Sequence, residues 1–182
     1  MNTAKLSTAA LAAAALVQAP AAMAQQCLTA GEVSSLAIYV VPHAIKGVQS
    51  GCGTELGSGS WLATDGAGMS ARYAALGSEA WPGAKRALLL FASSATGAEQ
   101  SQAEPDITAL LAGLPDESLR PLVDAIILQK VAESVKPDSC RSVDRVLEVL
   151  SRFEPQDAAE LLGVLLSLVD LKDPQICPLE DS

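Results

Sequence analysis

The chain has 182 residues, nearly half of them hydrophobic, which is long and apolar enough for one domain with a real core. Its 21 Asp and Glu outnumber its 12 Lys and Arg. The resulting formal charge of −9 argues against nucleic acid and against anionic membrane surfaces, since both recruit positive patches.

The N-terminus reads as an export signal. Lys5 supplies a short positive region, residues 6–17 are almost all Ala and Leu, and Ala22-Met23-Ala24 is a small-x-small cleavage site. A secretory signal peptide is therefore expected over 1–24, cleaved to leave 25–182 as a single helical domain. The Ala-rich body of the signal has a bacterial character, so a periplasmic or secreted location is expected. Ala24-Gln25-Gln26-Cys27 does not make cysteine the first mature residue, so no lipid anchor is expected. No later stretch reaches the roughly 18 apolar residues of a membrane span; 161–171 comes closest and is too short. Loss of Lys5 from the 12 basic residues leaves 11 against 21 acidic, a formal −10, and the whole excess lies in 99–182.

In the mature part, Val33, Leu36, Ala37, Val40, Val41, Ala44, Ile45 and Val48 recur at helical spacing, which predicts a helix over 29–48. Pro42 lies inside it and is expected to bend or divide it. Residues 49–60 are rich in Gly and Ser and read as a loop that carries Cys52. Over 61–76 a short helix would present Met69, Tyr73 and Leu76, with Gly77 as a natural stop. Trp81-Pro82 then opens another short helix through 88–91. Residues 93–104 are small and polar and read as a flexible loop. Helices follow over 105–111 and 115–135, the second with Pro115, Asp116 and Glu117 at its positive end.

The stretch 137–172 reads as two amphipathic helices joined by a tight turn. Val143, Val146, Leu147, Leu150 and Phe153 share one face, Asp138 is the expected N-cap, and Pro155 opens the second helix, with Leu161, Leu162, Val164, Leu165, Leu168 and Val169 on a wide apolar surface. The expected architecture is all-α: an irregular single-domain bundle of about six or seven helices, stapled by two disulfides.

All four cysteines lie outside the signal, and an even count in an exported chain points to two bridges. Local arguments conflict over the pairing. Cys140 and Cys177 sit at the open end of the terminal helix pair, but joining them forces Cys27 onto Cys52, across a helix roughly 27 Å long if it is straight. A sharp bend at Pro42 would permit that arrangement. The alternative taken here is Cys27–Cys177 with Cys52–Cys140, which ties the first helix to the terminal pair.

Residue chemistry narrows function only a little. His43 is the one near-neutral proton carrier. There is no G-x-S-x-G elbow, C-x-x-C pair, phosphate loop or EF-hand, and neither a cofactor nor a metal is implied. Three of the six aromatic residues, Trp61, Tyr73 and Trp81, fall near Arg72, Lys85 and Arg86. Aromatic rings beside cations line pockets for anionic or aromatic ligands. The ligand-binding candidates are therefore Trp61, Arg72, Tyr73, Trp81, Lys85, Arg86 and His43. The expected function is non-enzymatic binding of a protein partner or small ligand. Alternatives are a small carboxylate-dependent hydrolase and a structural accessory protein.

Overall fold

In a computed structural model the described residues are 27–96, 107–169, 171 and 174–178. The expected signal peptide at 1–24 lies outside them, as does most of the expected loop at 93–104. Seven α-helices account for most of the rest: α1 (Ala30–Cys52), α2 (Trp61–Thr64), α3 (Gly66–Thr96), α4 (Ile107–Ala112), α5 (Asp116–Ser134), α6 (Cys140–Leu150) and α7 (Pro155–Ser167). Among the described residues there is no strand, only an isolated parallel bridge between Leu28 and Ile176.

The centre of the bundle is α1, not the terminal helix pair. α3, α5 and α7 all pack on it. Its start is well defined: Thr29 accepts a hydrogen bond from the Glu32 amide while Glu32 reaches back to the Thr29 amide, a reciprocal cap. The helix runs unbroken through Pro42, so the expected division does not occur, and it ends on Cys52, which is therefore helical and not in a loop. At Gly47, Gly163 and Gly83 a neighbour comes so near that only glycine fits. A Cβ on Gly47 would stand 2.8 Å from the Leu128 carbonyl oxygen of α5, and one on Gly163 of α7 would stand 2.8 Å from Ser34 Oγ. Ser34 fastens the second contact by donating to the Ala159 carbonyl at 2.9 Å.

Gly77 does not stop a helix, and Trp81-Pro82 does not start one. α3 is continuous for 31 residues across both. Met69, Tyr73, Ala80, Ala84 and Ala87 are all buried and recur at helical spacing through the two breakpoints. Burying that face on α1 outweighs the loss of about 1 kcal/mol for a glycine and about 3 for a proline in a helix interior.

The terminal pair is also arranged differently from the expected hairpin. α7 lies along α1, whereas α6 packs on α2 and on the short 3-10 turn Pro137–Ser139 that precedes it. Asp138 falls inside that turn and caps nothing; Ser139 holds the N-cap position of α6 without a side-chain bond. The acid that does cap is Asp144. Its carboxylate accepts from the amides of Leu62 at 2.7 Å and Trp61 at 3.3 Å, the free donors at the start of α2.

The bridges are Cys27–Cys177 and Cys52–Cys140, with Cα separations of 5.1 and 5.6 Å. They clamp opposite ends of α1, roughly 34 Å apart at ~1.5 Å per residue. The core follows the same axis. One apolar cluster (Ile45, Val48, Leu62, Met69, Tyr73) surrounds Cys52–Cys140, and another (Leu28, Val33, Ala87, Ile176) lies by Cys27–Cys177. A third, built on Tyr39, Trp81, Ala84 and Leu119, occupies the middle.

Candidate functional site

Polar groups converge over that middle cluster. Tyr39, His43 and Lys46 stand at intervals of four and three residues, so α1 presents them on one face. Arg120 and Asp124, one turn apart on α5, face them, and Ser70 and Ser78 of α3 complete a cleft of about 230 Å³.

Asp124 organises the cleft. Its Oδ1 accepts from the Tyr39 hydroxyl at 2.6 Å and lies 3.1 Å from His43 Nε2. Burial lowers the pKa of His43 below its ordinary value; Asp124 pulls the other way, and Lys46 adds to the lowering. The neutral imidazole thus donates from Nε2 and keeps Nδ1 as an acceptor. Burial and the hydrogen bond to Asp124 raise the Tyr39 phenol, which stays a donor.

Beneath these groups Trp81 is almost wholly enclosed, its ring 4.8 Å from that of Tyr39. The guanidinium of Arg120 lies over the same indole, 4.8 Å from its centroid, a cation–π contact. Arg120 Nε is buried and has no hydrogen-bond partner among the described residues. The Trp81 indole N–H makes no hydrogen bond of regular geometry either, yet it lies near enough to the Asp116 carboxylate to help Lys85 hold that group below the usual carboxylate range.

The seven residues singled out from sequence are spread over the molecule. His43 lines the cleft, and Trp81 lies behind it, packed against the lining residues Tyr39 and Arg120. Trp61 and Tyr73 belong to the cluster around Cys52–Cys140. The three cations each hold a structural partner. Arg72 donates to the Ser151 carbonyl at 2.7 Å and so closes the end of α6, Lys85 pairs with Asp116 at 2.9 Å, and Arg86 pairs with Glu32. Sequence reasoning missed Tyr39, Lys46, Arg120 and Asp124. For α1 the signal was present, since Tyr39, His43 and Lys46 form a polar line in an apolar helix.

Two apolar surfaces complete the inventory. A cavity of about 170 Å³ between α3, α4 and α5 is lined by Leu88, Leu89, Leu111, Leu119, Val123 and Ile127 above Trp81. α6 and α7 also turn large apolar residues to solvent: Val146, Val149, Leu150 and Phe153 on or just after α6, and Leu161, Leu162, Leu165, Leu168 and Val169 on or just after α7. Among the described residues no three His, Cys, Asp or Glu side chains gather as a metal-binding group, and no helix is long and apolar enough to cross a membrane. Compared with known protein families, with characterised proteins and with solved structures, the chain matches none of them.

Proposed function

We propose that this chain is an exported, non-enzymatic helical protein that meets a protein partner through the outward faces of α6 and α7. The carrying observation is the inverted orientation of α7. It buries Pro155, Ala159 and Gly163 while Leu161, Leu165 and Leu168 remain 53, 49 and 71% exposed. Small residues give the close seat on α1, so the leucines are free for something else. Burying the part of each that remains exposed stabilises a complex by roughly 1–2 kcal/mol before the costs of association.

The partner's chemistry follows from the flanks. Along α7, Glu154, Asp157 and Glu160 are exposed and no Lys or Arg lies between 153 and 169, while on the α6 side Arg145 and Arg152 are each paired with Glu148. The fitting occupant is an amphipathic helix whose apolar stripe is bordered by basic side chains. Two disulfides support the export reading, because such bonds persist in oxidising compartments.

A photo-crosslinking residue at Leu165, with one at exposed Glu79 of α3 as control, tests the surface in the native exported fraction. The expected result is one discrete adduct from position 165 alone, abolished by Leu161→Glu. An adduct with a second copy of the chain, or none, overturns the proposal.

The hydrolase alternative draws on His43 and Asp124, since an imidazole oriented by a carboxylate is the usual form of a general base. No nucleophilic side chain hydrogen-bonds to His43 among the described residues, and binding is the reading preferred here.

A further inference from the structure

In so acidic a chain, cations without a carboxylate partner are informative. Lys85, Arg86, Lys130, Arg145 and Arg152 are each paired with an acid, and Arg72 closes a helix end. Among the described residues Lys46, Arg120, Lys136 and Arg141 have no carboxylate within ion-pair distance; Lys136 and Arg141 are exposed elsewhere, whereas Lys46 and Arg120 both line the cleft between α1, α3 and α5.

The two differ in how they are held. Lys46 is exposed at the rim on a flexible stem. Arg120 sits over Trp81, its Cζ 4.8 Å from the ring centroid, a contact that restrains its guanidinium, and its Nε is buried with no hydrogen-bond partner among the described residues. Leaving such a donor unsatisfied is unfavourable. A planar, restrained fork of N–H groups suits a two-oxygen acceptor, whereas a lysine supplies a mobile point charge. Ser70 and Ser78 bring hydroxyls to the opposite wall.

Among the described residues Asp124 is the one acid lining this cleft, and it opposes an anion there. Its Oδ1 is engaged by Tyr39 and His43, on the α1 side. Two cations against one carboxylate still leave the cleft with a positive balance. Tyr39 and His43 add no negative charge near neutral pH, as a protonated phenol and a neutral imidazole.

We propose that this cleft binds a small oxyanion, a carboxylate or phosphate group, with Arg120 as the restrained fork and Lys46 as the closing charge. This site is separate from the α6–α7 surface, and either proposal stands without the other.

The test uses the disulfide-bonded chain labelled with nitrogen-15 and titrated at pH 7 with sodium acetate or, separately, inorganic phosphate, each against sodium chloride at equal ionic strength. The Arg120 Nε–H and Trp81 indole resonances should move saturably with at least one oxyanion, while the Trp61 indole stays still. Lys46→Gln, at an exposed position, should weaken the apparent affinity about tenfold, the effect of losing one charged hydrogen bond. Acetate alone, phosphate alone or both giving this pattern supports the site and selects its ligand class. Non-saturable shifts matched by chloride, or saturable shifts that Lys46→Gln leaves unchanged, overturn it.

Discussion

At His43 two influences oppose each other, and which one wins can be measured. Burial favours the neutral ring and Asp124 favours the charged one, and the net effect is a folded-state pKa below the ordinary value. Above ~6.5 the ring is neutral in both folded and unfolded chains. As pH falls through that value the unfolded chain takes the proton first, so the stability contributed by neutral His43 declines until the folded pKa is passed. The urea midpoint of the wild type should therefore fall relative to His43→Gln between pH 7.5 and 5.5. A relative rise over that range would mean that the ion pair with Asp124 dominates over burial. The same residue marks how far the cleft was legible beforehand. His43 stood out because it is the only histidine, but the α5 residues that share its cleft, Arg120 and Asp124, lie 77 and 81 residues away. No local pattern links them. Trp61, Tyr73 and Trp81 drew notice by closeness along the chain, whereas the helices send Trp61 and Tyr73 to a different cluster from Trp81.

Among the elements, the four-residue α2 is the one least able to stand alone, since a single turn forms few internal bonds. It is held by Ser60 at its N-cap and by Asp144 reaching over from α6. Asp144→Ala should destabilise the protein by roughly 0.5–2 kcal/mol, the range for loss of a helix cap. Hydrogen exchange should quicken first at the Leu62 amide. Equal protection at Leu62 in the variant would show that apolar packing alone seats α2. This cap illustrates what sequence reading misses. The helical identity of α1, α5, α6 and α7 was legible from apolar spacing and from proline and acid at helix starts. The continuity of α3 was not, because Gly77 and Pro82 are local stop signals and the stabilising burial on α1 is not local. The splayed α6 and α7 were missed for a related reason. Periodicity identifies an apolar face without saying what it meets, and here much of that face meets water.

For the molecule as a whole, the decisive arrangement is one central helix covalently held at both ends. The cysteine spacing left competing pairings open, and the unbroken run through Pro42 separates Cys27 from Cys52 by the length of α1. In a chain-entropy account, bridges spanning 150 and 88 residues each stabilise by about 5 kcal/mol. The double substitution Cys27→Ser with Cys177→Ser should lower the melting temperature and expose the Leu28 amide, which donates to the Gln175 carbonyl at 2.8 Å. Amides of the cluster around Cys52–Cys140 should keep their protection below the transition. Simultaneous loss of protection at both ends would show that the two clamps act as one cooperative unit.

The same pair of bonds governs what a protease can do. With Cys27 joined to Cys177 and Cys52 to Cys140, cutting any single peptide bond between positions 27 and 177 leaves one covalent molecule. Shedding a fragment of that span takes two cuts, and a once-nicked chain keeps both halves tethered beside α1, where they can re-anneal.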